Sequence, residues 1–167
     1  MTYLKAKELS LFITRATVGD AQEILDLQKL AYQSEAAIYQ NYAIPPLTQT
    51  PPEIEAELQH QVFLKAVASG QIVGSVRAYL QERTCYIGRL IVHPAYQNQG
   101  LGRELMKKIE GCFPQAQQYE LFTGHRSERN LYLYHKLGYQ RVRMEQVSEK
   151  LTMVFLEKRG LANPQLT

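Results

Sequence analysis

The stretch "VHPAYQNQGLGRELMKKIE", residues 92–110, decides the fold. A run of strand-forming residues ends at His93-Pro94, and Gly100 and Gly102 follow within ten positions. After the glycines, leucine and isoleucine side chains recur at every fourth position, as on the buried face of a helix. The spacing predicts a strand, a glycine-containing turn, and a helix from about Gly100 to Glu110.

The turn has the physical properties of an anion site. A helix N-terminus carries unpaired amides and a partial positive charge, and glycines let a ligand approach the backbone closely. Two common phosphate motifs are excluded, however. No GK[ST] sequence occurs in the chain, which rules out a Walker A loop, and Leu105 stands where a Rossmann fingerprint requires its third glycine.

Composition bounds the class of protein. The chain has 167 residues, 45% hydrophobic and 21% charged, which suits one domain with one core. A net charge of +3 without a basic block gives no argument for nucleic acid. Cys85 and Cys112 lack zinc spacing and are expected to be reduced, so no metal is predicted. The polar segment 1–10 and the lack of a long apolar run favour a cytoplasmic protein without a membrane partner.

Alternation of apolar residues predicts a mixed sheet. We expect seven strands, at residues 11–17, 62–69, 72–80, 84–92, 118–124, 139–147 and 151–158. Helices are predicted at about 17–33, 50–60, 100–110 and 127–137, whereas residues 32–52 indicate a mobile loop or a broken helix. Hairpins in the middle and one strand–helix–strand unit over 84–124 favour an α+β fold with a single parallel pair.

Two motifs together resemble a known family. The string L-x-V-x-P-x-x-Q-x-x-G-x-G, from Leu90 to Gly102, is similar to the acetyl-CoA signature of the GNAT superfamily of N-acetyltransferases. A second string, "LYHKLGY" at 133–139, is similar to that family's LYxKxGF element. The resemblance implies the GNAT fold, a mixed, mostly antiparallel seven-stranded sheet with about four helices. It covers nearly the whole chain, so we expect a single domain over 1–167 with a frayed tail at 160–167.

The resemblance also implies where acetyl-CoA, the co-substrate, binds. The strand before the turn splays from its neighbour in this family, and a bulge or close approach is expected at Gly88. Ser127 stands where the family often has an asparagine, and Asn130 is a substitute for it one turn before Tyr134. The implied CoA-binding residues are Leu90, Val92, Gln97, Asn98, Gln99, Gly100, Leu101, Gly102, Arg103, Ser127, Asn130 and Tyr134.

Acetyl transfer from a thioester to an amine poses two proton problems. The amine must be neutral, and a lysine-like amine costs about 4.6 kcal/mol to deprotonate at pH 7. The leaving thiolate needs a proton or a hydrogen bond, a role that the resemblance gives to Tyr134. No glutamate precedes V-x-P here, and Arg89 lies in that neighbourhood. We name Glu120 as the base, with Glu35 or a chain of waters as alternatives. His93 and His125 are further candidates, although a lone histidine is more often structural.

The segment after the first helix is expected to form the acceptor pocket, as it does in the family. Tyr32 and Tyr39 offer aromatic faces, and Glu35 offers a carboxylate for an ammonium group. The predicted activity is direct attack of a primary amine, of a small molecule, on the bound thioester. A protein N-acetyltransferase, a non-catalytic acyl-CoA-binding or sensing domain, and a nucleotide-phosphate binder are the alternatives. Many relatives dimerise, so a homodimer is an open alternative to a monomer.

Overall fold

The structure is a computed structural model, and it describes residues 11–162. The predictions for the segment 1–10 and for most of the frayed tail concern residues outside this range. The strands are β1 (Leu11–Arg15), β2 (Val62–Ala68), β3 (Gln71–Gln81), β4 (Thr84–Val92), β5 (Gln118–Gly124), β6 (Gln140–Gln146) and β7 (Thr152–Arg159). The helices are α1 (Ala21–Ala31), α2 (Gln33–Tyr39), α3 (Pro45–Thr48), α4 (Pro51–His60), α5 (Leu101–Gly111) and α6 (Glu128–Lys136).

The predicted α+β class and all seven strands are confirmed. The four predicted helices correspond to α1, α4, α5 and α6. The segment 32–52 is a broken helix and not a continuous loop, because it forms α2 and the single turn α3. The break falls at Gln40, whose φ of 50° is incompatible with a continuing helix.

The strands form one sheet in the order β1-β2-β3-β4-β5-β7-β6. Only β4 and β5 run parallel, and their pairing covers three residues, Thr84 to Tyr86 on β4 opposite Gln118 to Glu120 on β5. Strand β5 then continues paired with β7 along its whole length. The carboxyl half of β4 therefore separates from β5, as expected, and leaves a row of backbone groups facing an opening.

A bulge in β4 lies beside this opening. Gly88 pairs with Arg77 on β3 and Ile91 pairs with Ser75, so two residues of β4 lie opposite one residue of β3. The residue with the special backbone conformation is Arg89, with a φ of 49°, and not Gly88. The bulge was expected at Gly88, and the structure moves its left-handed residue one position along the chain.

Helices cover both faces of the sheet. On one face α5 buries Leu101, Leu105 and Ile109 against β2, β3 and β4, as the four-residue spacing predicted. On the other face α1 and α4 bury apolar side chains such as Ile24 and Ile54. The packing of these helices places the start of α5 on one face of the sheet and the end of α1 on the other, beside the point where β4 and β5 separate. Within residues 11–162, no helix combines the length and the apolar character that a bilayer crossing needs.

Candidate active site

A cleft of about 1080 Å³ opens where β4 separates from β5. The carboxyl half of β4, the turn over 97–103 and α6 form most of its walls, and the corner between α1 and α2 closes it on the other side. Ten of the twelve predicted CoA-binding residues line it: Leu90, Val92, Gln97, Asn98, Gly100, Leu101, Gly102, Arg103, Ser127 and Asn130. The residues of the two sequence motifs therefore meet at this cleft.

The turn is shaped as a backbone cradle. Gly100 is the N-cap of α5 with a φ of 82°, and Asn98 also has a positive φ, 61°. The amides of the first helical turn have no carbonyl acceptor in the helix, and they point out of its N-terminus. Nothing lies within 4 Å of the position that a Cβ of Gly100 would occupy, so the backbone there is open to a ligand. These features fit a pyrophosphate.

The side chain of Gln97 ties this turn to both walls. Its Nε2 donates to the Val92 carbonyl at 3.2 Å, at the end of β4. Its Oε1 accepts from Nη1 of Arg129 at 2.6 Å, and Nη2 of Arg129 lies 3.3 Å from Oδ1 of Asn98. Gln99 does not line the cleft, because its exposed side chain turns back to the Ala95 carbonyl at 3.4 Å.

Sequence reasoning missed the cations of the α6 wall. Arg126, Arg129 and Lys136 all line the cleft together with Arg103. Arg126 and Arg129 are three positions apart and flank Ser127, the N-cap of α6. Side chains at this spacing lie on one side of a helix, and that pattern could have indicated them from the sequence. With only Glu35 and Glu128 as acidic lining residues, the described walls carry more positive than negative charge, which suits a phosphate-bearing ligand.

Tyr134 lies buried beside the cleft, at 6% exposure, and is not itself a lining residue. Its ring meets that of Tyr139 edge to face at 6.0 Å between centroids. Burial raises the pKa of Tyr134, and the neighbouring Tyr32 and Glu35 raise it further. The hydroxyl is therefore near two groups that line the cleft, and it stays protonated through the neutral pH range.

Four polar side chains fasten α2 to α6, and we refer to Glu35, Tyr39, Ser127 and Asn130 as the α2–α6 latch. Ser127 Oγ donates to Oε2 of Glu35 at 2.5 Å, and Nδ2 of Asn130 lies 3.5 Å from Oε1. The Tyr39 hydroxyl lies 2.8 Å from Ser127 Oγ and accepts from the Arg126 amide at 3.0 Å. The latch directs Glu35 into the cleft.

The latch changes two sequence-based roles. Tyr39 was expected to face the acceptor, but it is 4% exposed and does not line the cleft, because its hydroxyl is used in the latch. Ser127, which was predicted to bind CoA, is the N-cap residue of α6, and its side chain makes no capping hydrogen bond but contacts Glu35 and Tyr39. Tyr32 and Glu35 do line the cleft, as expected of acceptor-side residues.

The structure does not bring Glu120 to the cleft. It lies on β5 opposite Tyr86, at the last position where β4 and β5 still pair, and its carboxylate is 3.8 Å from Arg143. His93 and His125 are engaged locally: Nδ1 of His93 accepts from the Ala95 amide, and Nδ1 of His125 accepts from the Thr152 amide. Among the candidates for a base, geometry therefore favours Glu35, and a role for Glu120 stays a prediction.

Comparison with known proteins agrees with this geometry. The model of the acetyltransferase (GNAT) domain family matches residues 32–159. The chain belongs to the GNAT acetyltransferase family. This confirms the family and the enzyme class predicted from Leu90–Gly102 and "LYHKLGY". The match covers the splayed strands, the turn over 97–103 and the latch.

Relatives of this GNAT domain include both sequences and solved structures. It is 27% identical over 142 residues to the UPF0157 protein YqkA of Bacillus subtilis, covering 85% of this chain but only 41% of that relative. PaiA N-acetyltransferase from Thermoplasma acidophilum, solved with coenzyme A, aligns with a TM-score of 0.76 at 15% identity, covering 90% of this chain and 99% of that chain. YncA from Salmonella typhimurium, solved with acetyl-CoA, aligns with a TM-score of 0.72 at 17% identity, covering 89% and 93%. These structures show the same fold.

Proposed function

We propose that this GNAT domain transfers an acetyl group from acetyl-CoA to a primary amine of a small molecule by direct attack. The amine nitrogen bonds to the thioester carbon as the carbon–sulfur bond breaks. One proton leaves the amine, and one is supplied to the leaving sulfur. The observation that carries the proposal is the meeting, in one cleft, of the open edge of β4, the Gly100 cradle and a carboxylate held beside Tyr134.

The CoA side rests on backbone groups. Amides of residues 97–103 would hold the pyrophosphate, and the unpaired edge of β4 at Leu90 and Val92 would pair with the pantetheine arm as an added strand does. Arg103 and Arg129 at the rim would meet phosphate charge. The two neighbours solved with CoA or acetyl-CoA support this ligand.

Tyr134 is proposed to hydrogen-bond the leaving sulfur. Its raised pKa makes complete proton transfer to a thiolate unfavourable. The ordinary pKa of a tyrosine is already about 1.5 units above that of a thiol, which corresponds to about 2 kcal/mol. A hydrogen bond that strengthens as charge develops on sulfur avoids that cost. A buried hydroxyl that remains protonated is suited to this task.

Glu35 is proposed to hold the acceptor's ammonium group and then to receive its proton, directly or through water. The latch fixes both carboxylate oxygens, and the carboxylate lines the cleft near Tyr134. This assignment replaces Glu120 as the first choice. Matched variants separate the two: Glu35→Gln should lower kcat/KM by about 100-fold, the usual size of a lost general base, and Glu120→Gln should leave it near wild type. The reverse pattern would restore Glu120.

The proposal is tested by incubating the protein with acetyl-CoA and a broad panel of amines, and by following release of free thiol. Tyr134→Phe should reduce kcat by about 10²-fold while CoA binding, measured by calorimetry, stays near wild type. Binding of CoA without turnover on any amine would favour the non-catalytic acyl-CoA-binding domain instead. Competition by ATP as strong as that by CoA would favour a nucleotide binder.

The pH profile gives a second test of Tyr134. Because burial, Tyr32 and Glu35 raise its pKa above the usual 10, the donor stays protonated over the whole neutral and mildly alkaline range. We therefore expect that ionisation of Tyr134 causes no decline of kcat/KM below about pH 10. A decline centred near pH 8 would contradict the assignment.

A further inference from the structure

Arg89 has an unusual backbone conformation next to the reacting end of the cleft. It is the left-handed residue of the β4 bulge, with a φ of 49°, and it directly precedes the cleft residue Leu90. Non-glycine residues in this region are strained, and such residues concentrate at functional sites. Its guanidinium carbon lies 6.0 Å from the centre of the Tyr32 ring, which lines the cleft.

Two arginines lie on this side of the sheet, and they differ in how their charge is compensated. Arg77, at 3% exposure, pairs with Glu57, and its Nη2 donates to Gln28 at 2.6 Å. Arg89 is half-buried, and within residues 11–162 its guanidinium forms no ion pair with a carboxylate. The charge of Arg89 is strong enough at Arg77 to contribute to the lowering of the pKa of Arg77 to about 10, behind the larger effect of burial.

Tyr32 connects this cation to the proposed amine site. Burial raises the pKa of Tyr32. The positive charge of Arg89 opposes the rise, and the negative charge of Glu35 adds to it. The tyrosine ring is thus flanked by a cation and by a carboxylate that both act on it. An acceptor lying along Tyr32 would meet Glu35 with its ammonium group and Arg89 at its other end.

We propose that the acceptor is a primary amine that also carries a carboxylate, and that Arg89 is the residue that selects it. The inference rests on the proposed function, because it places a carboxylate on the acceptor of that same reaction. The fork of an arginine matches a carboxylate with two parallel hydrogen bonds, and a strained backbone that presents it is retained where the side chain is needed. The Tyr32 hydroxyl is a hydrogen-bond partner of this guanidinium, and a carboxylate on the acceptor would supply the negative charge that the tyrosine lacks.

The test uses α-, β- and γ-amino acids, each paired with its own carboxamide, with rates corrected for the ionisation state of each amine. The wild-type protein should favour the carboxylate member of at least one pair by about 10- to 100-fold in kcat/KM, the size expected of a charged hydrogen-bonded pair. Arg89→Gln should abolish that preference by lowering kcat/KM on the carboxylate far more than on the carboxamide. Arg89→Lys should keep part of the preference, because it keeps charge but loses the fork.

A variant that is expected to stabilise the protein and still lose the preference tests whether the role of Arg89 is merely structural. Arg89→Gly should raise the midpoint of thermal unfolding, because glycine accepts a φ of 49° without strain, and should still lose the carboxylate preference. Equal losses on carboxylate and carboxamide in Arg89→Gln, or turnover without any preference in the wild type, would overturn this inference alone. No thiol release with any amine would overturn the proposed function itself, and this inference with it.

Discussion

The two sides of the cleft are built differently. The phosphate wall, residues 97–103, comes from one continuous segment and offers mainly backbone amides. The proposed acceptor wall consists of Tyr32 and Glu35, which line the cleft, and of Arg89, whose guanidinium lies beside the Tyr32 ring. Glu35 reaches its place through a hydrogen bond to Ser127, 92 positions further along the chain.

This difference separates two kinds of dependence. A wall of amides needs particular backbone angles, so it is sensitive at Gly100 and tolerant of most side chains around it. A wall of side chains needs α2 to dock correctly on α6. It is therefore sensitive to substitutions in the latch and at neighbouring positions that must stay small. Substitutions that affect one wall and spare the other can test whether the two are independent.

Among variants that replace neither Glu35 nor Tyr134, the largest effect is expected from Gly124→Ala, on the acceptor wall. A Cβ at this position would lie 1.9 Å from the Tyr39 hydroxyl oxygen and 2.5 Å from the ring carbon that carries it. Tyr39 must move, and the latch with it. We expect a loss of about 1–3 kcal/mol in the free energy of unfolding, typical of an overpacked core. Turnover should fall more than about tenfold because Glu35 loses its position.

Gly111→Ala is the matched control, because nothing lies within 4 Å of its added Cβ and the residue is in helix α5. It should be neutral or stabilise by about 0.5–1 kcal/mol. Chemical denaturation measures both variants, and calorimetry measures CoA binding. If Gly124→Ala weakens CoA binding as strongly as it weakens turnover, the two walls are not independent and the comparison fails.

The same contrast explains how much the sequence could predict. Six of the seven residues that the motif predicted over 97–103 line the cleft, all except Gln99, because a local motif specifies the backbone there. The acceptor wall was predicted less well: Tyr39 is used in the latch, and Glu120 faces Arg143 across the sheet. The surroundings of Tyr39 and Glu120 depend on which helix or strand packs against each of them in the folded protein. Alternating burial along β5 leaves the identity of the facing element open, so no local pattern could settle either role.

The fold shows a similar limit at a single residue. Strand 84–92 and its bulge were predicted, but the strained position is Arg89 and not the adjacent Gly88. Glycine is the residue that sequence reasoning expects at a positive φ. A bulky side chain held there by its surroundings is visible only in the structure, which is why the proposed acceptor selectivity emerged from the fold and not from the motif.

An intermediate effect is expected from Gly100→Ala, on the phosphate wall. At a φ of 82°, an alanine costs about 1–2 kcal/mol or shifts the turn. Because the amides of the turn are the proposed pyrophosphate ligands, the affinity for CoA should fall about tenfold, which corresponds to about 1.4 kcal/mol. Turnover at saturating acetyl-CoA should change much less, since Glu35 and Tyr134 are untouched.

Gly70→Ala supplies the control for this backbone cost. Gly70 has a similar φ, 78°, but lies in the turn between β2 and β3, away from the cleft, and also has open space around its Cβ. The two variants should lose comparable stability, and only Gly100→Ala should lose affinity for CoA. Equal losses of affinity would mean that general destabilisation, and not the cradle, governs binding.

The smallest effect is expected where a side chain supports the phosphate wall from outside it. Arg129 reaches from α6 to Gln97 and Asn98, but it is exposed, so its removal should alter stability by no more than about 1 kcal/mol. Arg129→Gln should weaken CoA binding about two- to fivefold, more at low salt than at high salt, because a cation near phosphate is screened by ions. Arg141→Gln, an exposed substitution on β6, should change neither quantity. A salt-independent loss in Arg129→Gln would mean that Arg129 acts by orienting Gln97 rather than by its charge. Arg129 would then position the turn over 97–103 and not attract the CoA phosphates directly.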